Sequence, residues 1–218
     1  MRGTGRAVRA ERVSATRELI MATAERLFAE HGLYAVSSRH ISEAAGQGNT
    51  AAVGYHFGTR TDLVRAIVRR HAERMELLRT RMVAEVDGST EVRDWVGCLV
   101  HPVTQHLAAL GSPTWFARFG AQVMTDPAVR EIMLDEALTS PSLLRTMDGF
   151  NRCLPDLPVA VRLERNDMAR QLMVHMCAER ERALAEGTPT PRSSWSEAAA
   201  GLIDAITGLW LAPVTSHS

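Results

Sequence analysis

Residues 37–57, SSRHISEAAGQGNTAAVGYHF, decide how this chain reads. Ser37 stands where a hydroxyl can accept from the free N–H groups of a helix start. Ile41, Ala44 and Ala45 follow at i, i+3 and i+4, a small apolar stripe. Gly46 suits the left-handed residue that closes a helix, and Gln47-Gly48 prolongs the turn. Asn49 or Thr50 can cap a second short helix. Val53 and Phe57 give that helix an inner side; Thr50, Gly54, Tyr55 and His56 lie on the other. Two short helices around a glycine turn are the layout of a helix-turn-helix, whose second helix enters the DNA major groove.

The flanking sequence supports this pair. Residues 16–31 predict a helix with Ile20, Ala24, Leu27 and Phe28 on one face, closed by Gly32. Residues 61–82 predict a longer one, in which Val64, Val68, His71, Met75, Leu78 and Met82 step by four and three. Its other side carries Arg65, Arg69, Arg70, Arg74, Arg79 and Arg81. Residues 1–13, MRGTGRAVRAERV, are charged and glycine-bearing, and read as a flexible basic arm able to reach the minor groove.

Charge is segregated. The 25 basic residues are all arginine and equal the 25 acidic ones in number. Residues 1–82 hold 14 arginines against 8 acids, a surplus of six; residues 83–218 hold 11 against 17, a deficit of six. A basic head on an acidic body fits a protein that sets one end on a polyanion. The three cysteines, Cys98, Cys153 and Cys177, have neither CxxC nor metal spacing, so no metal site is expected. They suit a reduced cytoplasm, and no apolar stretch suggests a signal peptide or membrane span. No Gly-rich phosphate loop, H-E-x-x-H or G-x-S-x-G occurs, so neither catalytic residues nor a cofactor is expected.

The run RELIMATAERLFAEHGLYAVSSRHISEAAG…YHFGTRTDLV resembles the N-terminal domain of the TetR (TetR/AcrR) transcriptional regulators. The motifs that carry the resemblance are Arg-x-x-Ile, Leu-Phe-x-x-x-Gly, Ile-x-x-x-Ala-Gly and Tyr-His-Phe, in that order, over about residues 14–70. The turn at 46–50 is one residue longer than the commonest form, and Arg60 stands where lysine is usual. The resemblance implies an all-α, two-part protein. Residues 14–60 would be a three-helix DNA-binding domain, 61–82 a connecting helix, and 83–218 a helical bundle for ligand binding and dimerisation. It also implies that Tyr55 donates its hydroxyl to a phosphate, and Arg60 would hold another by charge. Ser37 and Arg39 are placed on the flanking backbone. Thr50, Gly54 and His56 are placed toward the groove, and Asn49 is either cap or contact.

Beyond residue 83 the sequence reads as helices, with Pro102 expected to kink or interrupt one. Trp95, Phe116, Phe119, Met147 and Phe150, with His106, Gln105 or Gln122 as a polar anchor, are expected to line a pocket for a small apolar or amphipathic effector. Helices near 158–186 and 195–212 are the dimer candidates, the latter through Ala198, Ala199, Ala200, Gly201, Ala205 and Gly208 with Leu202, Ile206, Leu209 and Trp210. The expected protein is a cytoplasmic homodimeric repressor, released by its effector from a palindromic operator on double-stranded DNA. The alternative is a helical-bundle enzyme or adaptor with a vestigial head. Composition does not separate repressor from activator.

Overall fold

A computed structural model describes residues 3–214, with side chains from residue 8 onward. Ten helices account for its regular structure, with no strand among the described residues: α1 (Gly3–His31), α2 (Ser38–Ala44), α3 (Ala52–Phe57), α4 (Arg60–Glu85), α5 (Val92–Leu110), α6 (Phe116–Thr125), α7 (Arg130–Leu138), α8 (Pro141–Cys153), α9 (Val159–Glu186) and α10 (Trp195–Leu211). None is long and apolar enough to cross a membrane.

The head forms around the residues that periodicity selected. Ile20, Ala24, Leu27 and Phe28 of α1 are buried, with Val36, Ile41, Val53, Leu63 and Ile67 from the segments that follow. Gly32, at φ 83°, ends α1 where a side chain would be strained. The basic arm is corrected: residues 3–13 belong to α1, while Met1 and Arg2 lie outside the described residues. Helix propagation costs little once residues 20–28 are packed, and nothing after Gly5 breaks it. Residues 8–15 are exposed, so this half of α1 projects from the head.

The connecting helix is longer than expected at both ends. Thr59 and Asp62 close a reciprocal capping box at its start. At 26 residues α4 spans about 39 Å. It packs on α1 and α3 at one end and on α5, α7 and α8 farther along.

Side chains from neighbouring helices, buried or half-buried, cap helix ends across the bundle. Pro102 sits inside an unbroken α5 instead of interrupting it. Its missing N–H frees the Cys98 carbonyl four residues back, and Arg79 of α4 donates Nε to that oxygen at 3.1 Å. Glu76 accepts from the Ser142 N–H at the start of α8, at 3.0 Å. Glu181 of α9 accepts from the first N–H groups of α6, Ala117 at 3.0 Å and Arg118 at 2.9 Å. Arg165 donates to the Trp210 carbonyl, at 2.7 Å, and to the Ala212 carbonyl, at the end of α10. Carboxylates thus meet helix N-termini and a guanidinium a C-terminus, the favourable sense of the helix dipole.

Candidate nucleic-acid interface

The helix-turn-helix has a buried and a bare side. Ser37 caps α2 by accepting from the His40 N–H at 3.1 Å. Ala45 packs inward and Gly46, at φ 65°, turns the chain. Asn49 takes a capping part: its Oδ1 accepts from the Ala51 N–H at 2.9 Å and its carbonyl from the Ala52 N–H at 3.0 Å. The longer turn is thereby closed on itself. Ala52 and Val53 are buried and Phe57 is half-buried. Thr50, Gly54 and Tyr55 face out, Tyr55 with 74% of its surface exposed. His56 is half-buried, its ring edge-on to Tyr55 at 4.9 Å.

A residue that the sequence did not single out for this task fixes α3. Arg17 of α1 donates to the His56 carbonyl and lays its guanidinium over the Phe57 ring at 4.3 Å. The exit of the second helix is therefore held rigidly to the first. The motif position of Arg17 was visible; its partner, 39 residues away, was not.

Arg39 is exposed and pairs with Glu43 one turn on at 2.8 Å, which raises its pKa. Arg60 departs from expectation. Its guanidinium lies 5.2 Å from the Phe28 ring centre, half-buried, and burial lowers its pKa despite nearby Asp126. Its charge is turned toward the seam between head and body. Tyr34 donates to Asp126 at 3.0 Å across the same seam, and Phe28 stacks on Phe119 at 6.2 Å.

The sequence matches the family "Bacterial regulatory proteins, tetR family" over residues 20–67, and "Tetracyclin repressor-like, C-terminal domain" over residues 97–208. The chain belongs to the TetR family. It is a DNA-binding transcriptional regulator, all-α, with the helix-turn-helix head and C-terminal helical domain of its family, and the enzyme or adaptor alternative falls. Among solved structures it is similar to the TetR family transcriptional regulator PfmR from Thermus thermophilus, at 14% identity over 91% of this chain and 97% of that one, TM-score 0.50. It is also similar to the multidrug binding protein EbrR complexed with imidazole, at 20% identity over 91% and 92%, TM-score 0.49. The comparison with curated proteins gives no match.

In this TetR-family body the six expected pocket residues do not line one cavity. Trp95 donates Nε1 to the Ser89 carbonyl at 3.1 Å and packs its ring on Gly149. Phe150 meets Trp210 edge-on at 4.9 Å. Phe119 is spent on Phe28, Phe116 stacks on His71 at 3.8 Å, and Met147 is half-buried on α8. Large aromatic residues fill the core as readily as they line a hollow, and sequence does not separate the two. Of the six, His106 borders a cleft of about 710 Å³ that lies between α1, α4, α5 and the 113–115 segment and carries charged residues in a partly apolar lining. Burial lowers the His106 pKa to about 4, so its ring is neutral.

The dimer candidates are also redistributed. Leu202, Ile206 and Trp210 are buried within their own chain, and α10 packs along α5. The outer stripe of α10 is small: Ala205 and Gly208. Beside it α9 exposes Met168 and Met176, with Leu172 half-buried between them.

Proposed function

We propose that this regulator represses transcription by binding a palindromic operator as a homodimer, and that a small molecule releases it. The observation that carries the DNA side is the bare outer face of α3, clamped by Arg17 and bearing the strongly exposed Tyr55. Held in solvent on a rigid helix, the Tyr55 hydroxyl is free to donate to a phosphate oxygen, a contact that positions the helix on the duplex. In this reading Thr50, Gly54 and His56 face base edges, while Ser37, Arg39 and Tyr55 hold phosphates, and Asn49 serves the turn. Arg60 is left out, because its charge faces the seam. Arg9 and Arg12, exposed on the projecting half of α1, add backbone contacts.

Phosphate contacts position and base contacts specify. One six-residue helix covers few base pairs, and two-fold assembly doubles the reading. The outward Met168, Leu172 and Met176 of α9, with Ala205 and Gly208 of α10, supply a face on which a second copy can pack closely. Selection of bound fragments from random DNA, followed by sequencing, tests the proposal. The expected product is a two-fold symmetric site whose half-sites lie one or more helical turns apart. Recovery of sequences without symmetry would overturn the palindromic reading.

A further inference from the structure

The cleft between head and body is built around one buried carboxylate. Glu25 of α1 has 7% of its side chain exposed and accepts from two groups of α4, Arg70 and His71. His71 Nε2 lies 2.8 Å from Glu25, and His71 Nδ1 lies 2.7 Å from His106 Nε2 on α5. Three helices are thus joined through two imidazoles and a carboxylate. With His71 Nε2 donating to Glu25, its Nδ1 can accept from the His106 N–H, so both His71 ring nitrogens have a partner.

Arg70 is the loose member. Its side chain is 28% exposed, and it divides its donors between Glu25 and the rim carboxylate Glu18, at 3.2 Å. It can leave Glu25 and remain paired, whereas Glu25 cannot follow. The cleft then presents a desolvated anion at its floor. Its walls carry the acids Glu18, Glu25 and Glu73 against two guanidiniums, Arg70 and Arg74, and Trp115 stands at its edge. Its volume, about 710 Å³, is within the usual range for a small molecule. The other large pocket, about 480 Å³ and lined by α9, α10 and the loop between them, lies on the face assigned to the second copy. Nor is the cluster a metal site: among the described residues no three His, Cys, Asp or Glu side chains are placed to hold a metal ion.

We propose that this cleft is the effector site and that it takes a small aromatic monocation, an amine or amidinium, whose charge replaces Arg70 on Glu25. The inference rests on the proposed release by a small molecule and adds its place and chemistry. Glu25 and Glu18 belong to α1, and Arg70 to α4. The displaced pair is therefore one of the ties between the DNA-binding head and its connecting helix, beside His71–Glu25 and Arg70–Glu18. A cation that binds only when the tie is open favours a different head position, and so weakens DNA binding.

Benzamidine is the probe, with benzoate and benzyl alcohol as charge controls. At millimolar concentration benzamidine should raise the melting temperature of the full chain. It should also shift the His71 and His106 side-chain resonances and lower affinity for the selected operator at least fivefold. The controls should do none of this. Glu25→Gln should bind benzamidine at least tenfold more weakly and, because it opens the same pair as Arg70→Met, should also weaken DNA binding without any ligand. Arg70→Met should weaken DNA binding without any ligand. Should Glu25→Gln fail to fold, the histidine resonances of the wild type remain decisive. Absence of benzamidine binding, equal binding of benzoate, or binding that leaves both histidines unmoved overturns the site. Binding with histidine shifts but unchanged operator affinity overturns its effector role. A wild type that never binds the selected DNA instead overturns the reading on which the inference stands.

Discussion

Gly54 lies on the exposed side of α3, and a methyl group added there would meet no protein atom within 4 Å. Packing does not require glycine, and its helical backbone does not either, since its φ is not positive. Gly54→Ala should therefore stabilise the protein by about 0.5–1 kcal/mol through helix propensity. The same variant should bind operator more weakly, because the bare backbone is what approaches the groove. Thermal melts paired with gel shifts check both; unchanged affinity would remove Gly54 from the interface. Tyr55→Phe should cost about 1.5–3 kcal/mol of binding, the scale of a hydrogen bond to a charged group, at every sequence alike. Stability should not change, since the exposed hydroxyl has no role in packing. At this scale the sequence was legible where the interaction is local. The Ser37 cap and the Gly46 turn are decided within four residues. Arg17 on the His56 carbonyl and Arg60 over Phe28 were not legible, because each depends on a partner 32 or more residues away that only the fold supplies.

Helices were legible as elements because apolar periodicity is a summed signal over many residues. What happens at their ends and breaks was not. Pro102 looks like an interruption until α4 brings Arg79 to the carbonyl it leaves free. Arg79→Ala should then cost about 2–3 kcal/mol, chiefly from a buried carbonyl without a donor. In a Pro102→Ala background residue 102 regains its N–H, so the cost should fall by at least about 0.5 kcal/mol. A double-mutant cycle in denaturant measures this coupling, and strict additivity would show that Arg79 acts through packing alone. The start of α1 is the other element misjudged. Its charges and glycines resemble those of a floppy arm, yet the chain is helical from Gly3. Its exposed arginines make a separate prediction. Replacing Arg9 and Arg12 together by alanine should reduce the salt dependence of DNA binding by about two units, at roughly 0.9 per phosphate. Sequence preference and melting temperature should stay as they are. A full salt slope in this variant would confine the interface to the helix-turn-helix.

At the scale of the whole molecule, charge segregation was readable by counting, and the ligand and dimer surfaces were not. Both depend on which side of an apolar helix meets its own chain. In α10 the large residues Leu202, Ile206 and Trp210 turn inward, and the small ones, Ala205 and Gly208, remain outside. Two substitutions on this helix therefore separate fold from assembly. Ile206, at 3% exposure, belongs to the core, so Ile206→Glu should lower stability by several kcal/mol through an unpaired buried charge. Gly208 has open space around it, so Gly208→Glu should leave the monomer folded and slightly more helical. If a second copy packs there, the same glutamate places a charge between close-packed helices, where desolvation opposes it. Dimer affinity should fall at least tenfold, about 1.4 kcal/mol. Sedimentation velocity at micromolar concentration reads the loss, while circular dichroism confirms the helices. Operator affinity should fall in parallel, since each half-site then has to be bound alone. A wild type that sediments as a monomer, or a Gly208→Glu variant that remains fully dimeric, would place the two-fold contact elsewhere.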